Sequence, residues 1–312
     1  MIETSPEVVV VGSYVHDMKW RTDRFPVDGE AVLGDFYDDP GGKGTNQAVA
    51  AARLEIPTAF VGGVGRDLLG EGARKLFADE GIVSHLLEVD GPTGTASIQI
   101  DASGQNRIVV DLGANLRWEP ERIPDEVLAG AKVVVCQCEI SPEATEHALR
   151  LGREGGAVTI LNPAPFSGKF RPEHLRYVDA LVPNESEFSG LLSSSDETRA
   201  LTVPPEEVAG LSDAELSRRC QAIPVPTVIV TLGVEGCFLS GPAGEGRFRP
   251  EPGIQAVDTV GAGDSFVGAL AASSARGSDW PAAVSFATKV AGLAVQRKGS
   301  ALAMPRLSEV EG

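Results

Sequence analysis

Short apolar runs alternate with segments of helical period along most of this chain, and each run stops at a polar residue or a glycine. Val8-Val9-Val10-Val11-Gly12 reads as a strand buried on both faces that ends in a turn. Thr58 to Gly62, Val133 to Cys138, Val158 to Leu161, Asp179 to Pro183 and Thr227 to Thr231 read as further strands. Between and after them, helices are expected over residues 48–54, 71–81, 142–153, 212–221, 264–276 and 281–297. Repeated β-α units of this kind predict an α/β fold: one domain over residues 1–312, with a mainly parallel central sheet between two helical layers.

Three segments depart from that pattern. Residues 19–37 alternate in short stretches punctuated by Pro26, Gly29 and Gly34, which suggests strands of a second, small sheet. Thr95 to Asp101 and Arg107 to Asp111 alternate across Ala102-Ser103-Gly104-Gln105-Asn106, a hairpin pattern. Leu191 to Pro205 is rich in Ser, Thr and Glu and is expected to be a surface loop.

In sheets of this class, ligands collect at the carboxyl ends of the strands. Asp17, Glu139, Asn162, Asn184, Glu187, Thr231 and Gly233 all fall just past such ends, which places them on one rim. Two glycine loops point to the same kind of site. Asp258-Thr259-Val260-Gly261-Ala262-Gly263-Asp264-Ser265-Phe266 is a glycine turn running into an apolar helix. Free amides and the positive helix end make it an anion site. Asp264 would face that anion, an arrangement suited to a base that takes a proton from a hydroxyl while the amides hold a phosphoryl group. Gly41-Gly42-Lys43-Gly44-Thr45-Asn46-Gln47 precedes a second helix. It is not a Walker loop, because Gly44 separates Lys43 from Thr45. The Gly42 amide, Lys43 and Asn46 would instead grip a polar ligand.

The net charge of -17 over 312 residues argues against nucleic acid or an anionic membrane as partner. Cys136, Cys138, Cys220 and Cys237 lack the neighbouring ligands of a metal site and read as reduced, buried thiols. No stretch reads as a signal peptide or membrane span, so a cytoplasmic location is expected.

Together the two glycine loops resemble the two signatures of the ribokinase-like (PfkB) carbohydrate kinase family. The likeness extends to Asn162-Pro163-Ala164-Pro165, Pro183-Asn184-Glu185-Ser186-Glu187, Thr231-Leu232-Gly233 and Arg297-Lys298-Gly299, and is nearest the ribokinase branch. The resemblance implies a three-layer α/β/α fold with a β lid formed by about residues 17–38 and 93–112. It implies transfer of the γ-phosphate of ATP to a hydroxyl of a small sugar, D-ribose to ribose 5-phosphate first. Asp264 matches the family's base, which also contacts the sugar, and Gly261, Ala262 and Gly263 match its anion hole. Asp17, Gly42, Lys43, Asn46 and Glu139 match sugar contacts. Asn184, Thr231, Gly233, Gly236, Gly263 and Thr288 match nucleotide contacts, with Glu187 holding Mg²⁺ indirectly. Asp258, Val260, Ala294, Arg297 and Gly299 match the ligands of a K⁺ ion, and the lid implies a homodimer.

Three positions depart from the family pattern. Val15 stands where an Asn usually binds the sugar, which admits a deoxysugar or another polyol. Ala303 replaces a Ser that usually completes the K⁺ shell, which implies activation with a raised requirement. Glu55 replaces a Gly or Ser after the helix and is expected to alter only a turn. A nucleoside kinase of the same fold and a non-catalytic sugar- or nucleotide-binding regulator are the alternatives, and the Gly-Gly-Lys-Gly loop and an intact Asp264 speak against them.

Overall fold

The computed structural model describes residues 5–167 and 172–312, so residues 1–4 and 168–171 of the expected domain lie outside the described residues. Nine strands form the central sheet. Their spatial order is β13 (Gly244–Phe248), β12 (Cys237–Gly241), β11 (Thr227–Thr231), β10 (Ala180–Leu181), β9 (Val158–Leu161), β8 (Val133–Cys136), β1 (Val8–Val11), β4 (Thr58–Gly65) and β5 (Val83–Val89). Pairing is parallel from β11 to β5 and antiparallel through β12 and β13.

The two-residue period of β1 divides the core. Val8 and Val10 belong to the apolar cluster on one face, Val9 and Val11 to the cluster on the other. On the first face lie α1 (Lys43–Arg53), α2 (Leu68–Asp79), α8 (Ala262–Ala275), α9 (Trp280–Ala294) and α10 (Leu307–Glu311). On the second lie α3 (Asp125–Ala129), α4 (Pro142–Glu154), α5 (Glu185–Ser193), α6 (Pro205–Val208) and α7 (Asp213–Cys220). This is the expected three-layer arrangement. None of the helices among the described residues is long and apolar enough to cross a membrane.

The small sheet has the order β3 (Asp35–Gly41), β2 (Val15–Arg21), β6 (Gly94–Ile100), β7 (Asn106–Asp111). β2 and β6 run parallel, and each outer strand is antiparallel to its neighbour. Val15, Asp17 and Lys19 alternate onto the buried face of β2, whereas every residue of β7 is exposed. Val15 packs with Ala96 and Ile98, so this side chain belongs to the small sheet's own apolar cluster.

Several elements differ from the sequence pattern for identifiable reasons. Leu191 to Pro205 is not simply a surface loop: α5 runs into it, and Leu191, Leu192, Thr198 and Val203 are buried. The capping box between Asn184 and Glu187 starts that helix ahead of the expected loop, and the helix carries through to Ser193. Strands β5, β12 and β13 carry too few consecutive apolar residues to announce themselves, since β5 and β13 are sheet edges. Helix α1 starts at Lys43, so the first glycine loop is the helix's own first turn. Glu55, after α1, adopts φ 62°, a left-handed conformation that favours the Gly it replaces.

Candidate active site

The end of β3 and the start of α1 make a tight corner around Gly42, whose φ is 91°. A Cβ there would lie 2.7 Å from the Val15 nitrogen and 2.9 Å from the Ser13 carbonyl oxygen. At Gly41 it would meet Asp17 Oδ2 at 2.7 Å, and at Gly44 the Ser13 nitrogen at 2.5 Å. The glycines therefore let the loop press against the β1–β2 connection and against Asp17. Helix α1 has no side-chain cap from its own N-cap residue. Glu139, past the end of β8, takes that place: its Oε2 accepts the Lys43 N–H at 3.0 Å and the Ser13 hydroxyl at 2.5 Å. A carboxylate is favoured there by the helix dipole.

Asp264, 8% exposed in the first turn of α8, faces the same corner. Its Oδ2 accepts Asn46 Nδ2 at 2.8 Å and its Oδ1 accepts Gln47 Nε2 at 2.9 Å. Gln47 Nε2 also donates to Asn162 Oδ1 at 3.1 Å, and Gln47 Oε1 accepts Gln137 Nε2 at 2.6 Å. Asn162 Nδ2 donates in turn to the Val182 carbonyl at 2.8 Å. The network ties α1 and α8 to the ends of three strands. Asn46 Oδ1 is buried and has no partner among the described residues. Gly261 caps α8 in the left-handed conformation at φ 77°, and beyond its own turn of the helix nothing lies within 4 Å of where a Gly263 Cβ would stand. First-turn amides such as those of Gly263 and Asp264 have no place in the helical ladder. The Ala262 amide differs: it turns to the Thr259 carbonyl at 3.2 Å.

Charge gathers here out of proportion to the available countercharge. Burial, then Glu139 and Asp39, push Asp17 up to about 6, against Lys19 and His16. Burial also raises Glu187, with Asp264 and Glu185 adding to it and Lys43 opposing. Burial works against the Lys43 ammonium, but Asp264, Glu139, Glu187 and Asp17 together hold it above the ordinary lysine value. One lysine thus stands amid four carboxylates drawn from four separate parts of the sequence. Cys138 borders the same group, its thiol pushed up to about 12 by burial and by Glu187 and Glu139.

The remaining expected residues fall in two neighbouring places. Thr231, Gly233 and Gly236 form the turn after β11, with the Thr231 amide donating to Pro183 at 2.9 Å. Gly236 permits close approach of backbone, since a Cβ would stand 2.0 Å from the Phe248 oxygen. Thr288 is buried under this turn's hairpin, its hydroxyl donating to the Val284 carbonyl at 2.8 Å. Asp258 bridges two loops: Oδ1 accepts the Val260 amide at 3.0 Å and Oδ2 the Gly299 amide at 3.1 Å. The Ala294 carbonyl accepts the Arg297 amide at 3.1 Å, and the Arg297 guanidinium pairs with Glu309. Buried Ala303 adds no oxygen to that group.

Residues 5–307 match the model of the pfkB family carbohydrate kinase. The chain belongs to this family. It is 38% identical to the ribokinase of Mus musculus over 275 residues, 86% of this chain and 82% of that protein. It is 34% identical to the ribokinase of Schizosaccharomyces pombe over 316 residues, 98% of this chain and 96% of that one. The structure of Arabidopsis thaliana ribokinase complexed with ribose and ATP matches with a TM-score of 0.83 at 29% identity, over 99% of this chain and 98% of that one.

Within this PfkB chain, sequence reasoning passed over Ser13, Gln47 and Gln137 as site residues. Gln47 carried a signal, since it sits beside Asn46 in the first glycine signature; Gln137 lay hidden between two cysteines of an apolar run. Replacing Gln47 by Leu should strand the polar groups of Asn162 and Gln137 and lower stability by about 1–3 kcal/mol. Urea denaturation measures this, and an unchanged midpoint would show that the network does not hold these elements together.

Proposed function

We propose that this PfkB family kinase transfers the γ-phosphate of ATP to a hydroxyl of D-ribose, giving ribose 5-phosphate. The observation that carries the reading is the meeting of Asp17, Lys43, Asn46, Glu139 and Asp264 at one corner, with a buried Asn46 oxygen left for a hydroxyl to satisfy. The ribose complex of the Arabidopsis relative supports the sugar and ATP.

Each residue has a physical task. Asp17 and the Asn46 oxygen accept hydrogen bonds from sugar hydroxyls. Glu139 holds the Lys43 corner rigid while its carboxylate edges the sugar site. Asp264, fixed at both oxygens by Asn46 and Gln47, accepts the proton of the attacking hydroxyl. The hydroxyl oxygen forms the new bond to phosphorus as the bond to ADP breaks, and the first-turn amides of α8 with Lys43 receive the negative charge. Closure of the small sheet excludes water that would otherwise accept the phosphoryl group. ATP lies toward Asn184, Thr231, Gly233, Gly236 and Thr288.

The surplus of buried carboxylate fits a divalent cation. When bound, Mg²⁺ neutralises the phosphate oxygens. Glu187 and Asn184, locked together by their capping box, would hold it through water. Asp258 and the carbonyls of Val260, Ala294, Arg297 and Gly299 fit a K⁺ ion in part, with one oxygen fewer because of Ala303. Exposed Ile108, Val109 and Val110 on β7 support a homodimer through the lid, which sedimentation as a monomer would contradict. This reading places the enzyme in the cytoplasm, where ATP is at hand.

Assayed with ATP and Mg²⁺ against pentoses, deoxypentoses, hexoses and nucleosides, ribose should give the highest kcat/KM. A nucleoside in first place would favour the nucleoside kinase, and turnover on none would favour the regulator. Asp264→Asn should lower kcat by about two to four orders of magnitude with ribose affinity largely kept. Near-normal turnover in that variant would remove Asp264 as the base. K⁺ should raise the rate at higher concentration than a complete shell would need; equal rates in Na⁺, K⁺ and Tris buffers would contradict the cation site.

A further inference from the structure

The buried face of the small sheet carries a charged pair to which the roles above give no task. Lys19 lies two residues beyond Asp17 on β2, so the two project from the same face. It is 5% exposed. Its Nζ donates to Asp39 Oδ2 at 2.9 Å and lies 3.8 Å from Asp17 Oδ2, with the Tyr37 ring centroid 5.8 Å away.

Packing does not ask for a lysine at this place. Its partners across the sheet on the same row are Tyr37 on one side and Ile98, then Ile108, on the other. An aliphatic residue at position 19 would continue that row beside Val15, Ala96 and Ile98. A buried ion pair is a weak source of stability, because desolvating both charges offsets their attraction. The geometry points instead to Asp17. At 3.8 Å the ammonium is beyond hydrogen-bond range of that carboxylate. It therefore acts on Asp17 through its charge without occupying the oxygens, while Asp39 holds it in place.

We infer that Lys19, pinned by Asp39, is a positioning residue of the sugar site that keeps Asp17 an ionised acceptor open to sugar hydroxyls. The inference rests on the ribose reading above. The groups facing Asp17 divide by sign: Lys19 and His16 on the small sheet and Lys43 at the start of α1 favour its charge, whereas Glu139 and Asp39 oppose it on top of burial, and the Tyr14 hydroxyl beside it stays neutral. The balance leaves Asp17 titrating at about 6, so sugar affinity should weaken as the pH falls through that value. Loss of the Lys19 charge moves this acid limb to higher pH. Loss of the Asp39 charge moves it to lower pH. A pair that serves packing alone would shift neither limb, or would harm both variants alike.

The test is calorimetric titration of ribose into the full chain without ATP, from pH 5 to 8.5, for wild type, Lys19→Met, Lys19→Arg and Asp39→Asn, each shown to be folded by circular dichroism. In Lys19→Met the limb should rise by about one pH unit, so that affinity falls about tenfold at pH 5.5 and far less at pH 8.5. Lys19→Arg should stay within about twofold of wild type, because the charge is kept. The Asp39→Asn limb should fall. Coincident limbs in Lys19→Met and wild type, or shifts of the same sign in Lys19→Met and Asp39→Asn, would overturn the inference. Should Lys19→Met not fold, Lys19→Gln carries the same test: a raised limb supports the inference and an unmoved one overturns it. Wild type that binds no ribose at any pH overturns the ribose reading itself and this inference with it; wild type that binds with unmoved limbs overturns this inference alone.

Discussion

Two helix N-termini meet in this fold because Gly268 has no side chain. A Cβ at Gly268 would stand 2.5 Å from the Ala50 Cβ and 2.6 Å from the Gln47 carbonyl oxygen, so α1 and α8 touch backbone to backbone. That contact sets the distance from Asn46 and Gln47 to Asp264, and with it the geometry of the proposed base. It also brings two positive helix ends to one place, where sugar and phosphoryl group would have to meet. Close packing of this kind does not stretch by an ångström without loss elsewhere in the core.

The same meeting creates an electrostatic demand. Asp17, Glu139, Glu187 and Asp264 surround Lys43, and burial raises two of them. Such a group is poorly arranged for the stability of an empty protein, which is why the proposed function gives it a cation and a polyphosphate to receive. The small sheet adds its own charged element in Lys19 and Asp39, placed against Asp17. On the proposed reading the sugar end of the site is tuned from the small sheet, and the phosphoryl end from the helix termini of the main body.

Much of this is legible in the order of the amino acids. The strands β1, β8, β9 and β11 are apolar runs buried on both faces, so their hydrophobicity announces them, and the polar residues just beyond mark the rim. The glycine loops are legible because a turn and a helix start each need particular residues. What stays hidden is long-range. Glu139 capping a helix 96 positions away has no local signature, and neither has Gln47 bridging Asp264 and Asn162. Edge strands β5 and β13 and the start of α5 escape a reading of the chain because exposure dilutes periodicity and because Ser- and Glu-rich sequence can also be a cap. Val15 looks like a missing sugar ligand from sequence; in the fold it is part of the small sheet's apolar cluster, and the polar groups of that face stand at Asp17, Lys19 and Asp39.

The dependence on close contact between α1 and α8 can be tested most directly by steady-state phosphorylation of ribose by Gly268→Ala, alongside its thermal unfolding. The added methyl must push the helices apart. A displacement near one ångström at Asp264 should lower kcat by about a hundredfold in a protein that still unfolds cooperatively. A folded Gly268→Ala enzyme with wild-type kcat would contradict the claim that this contact sets the active geometry.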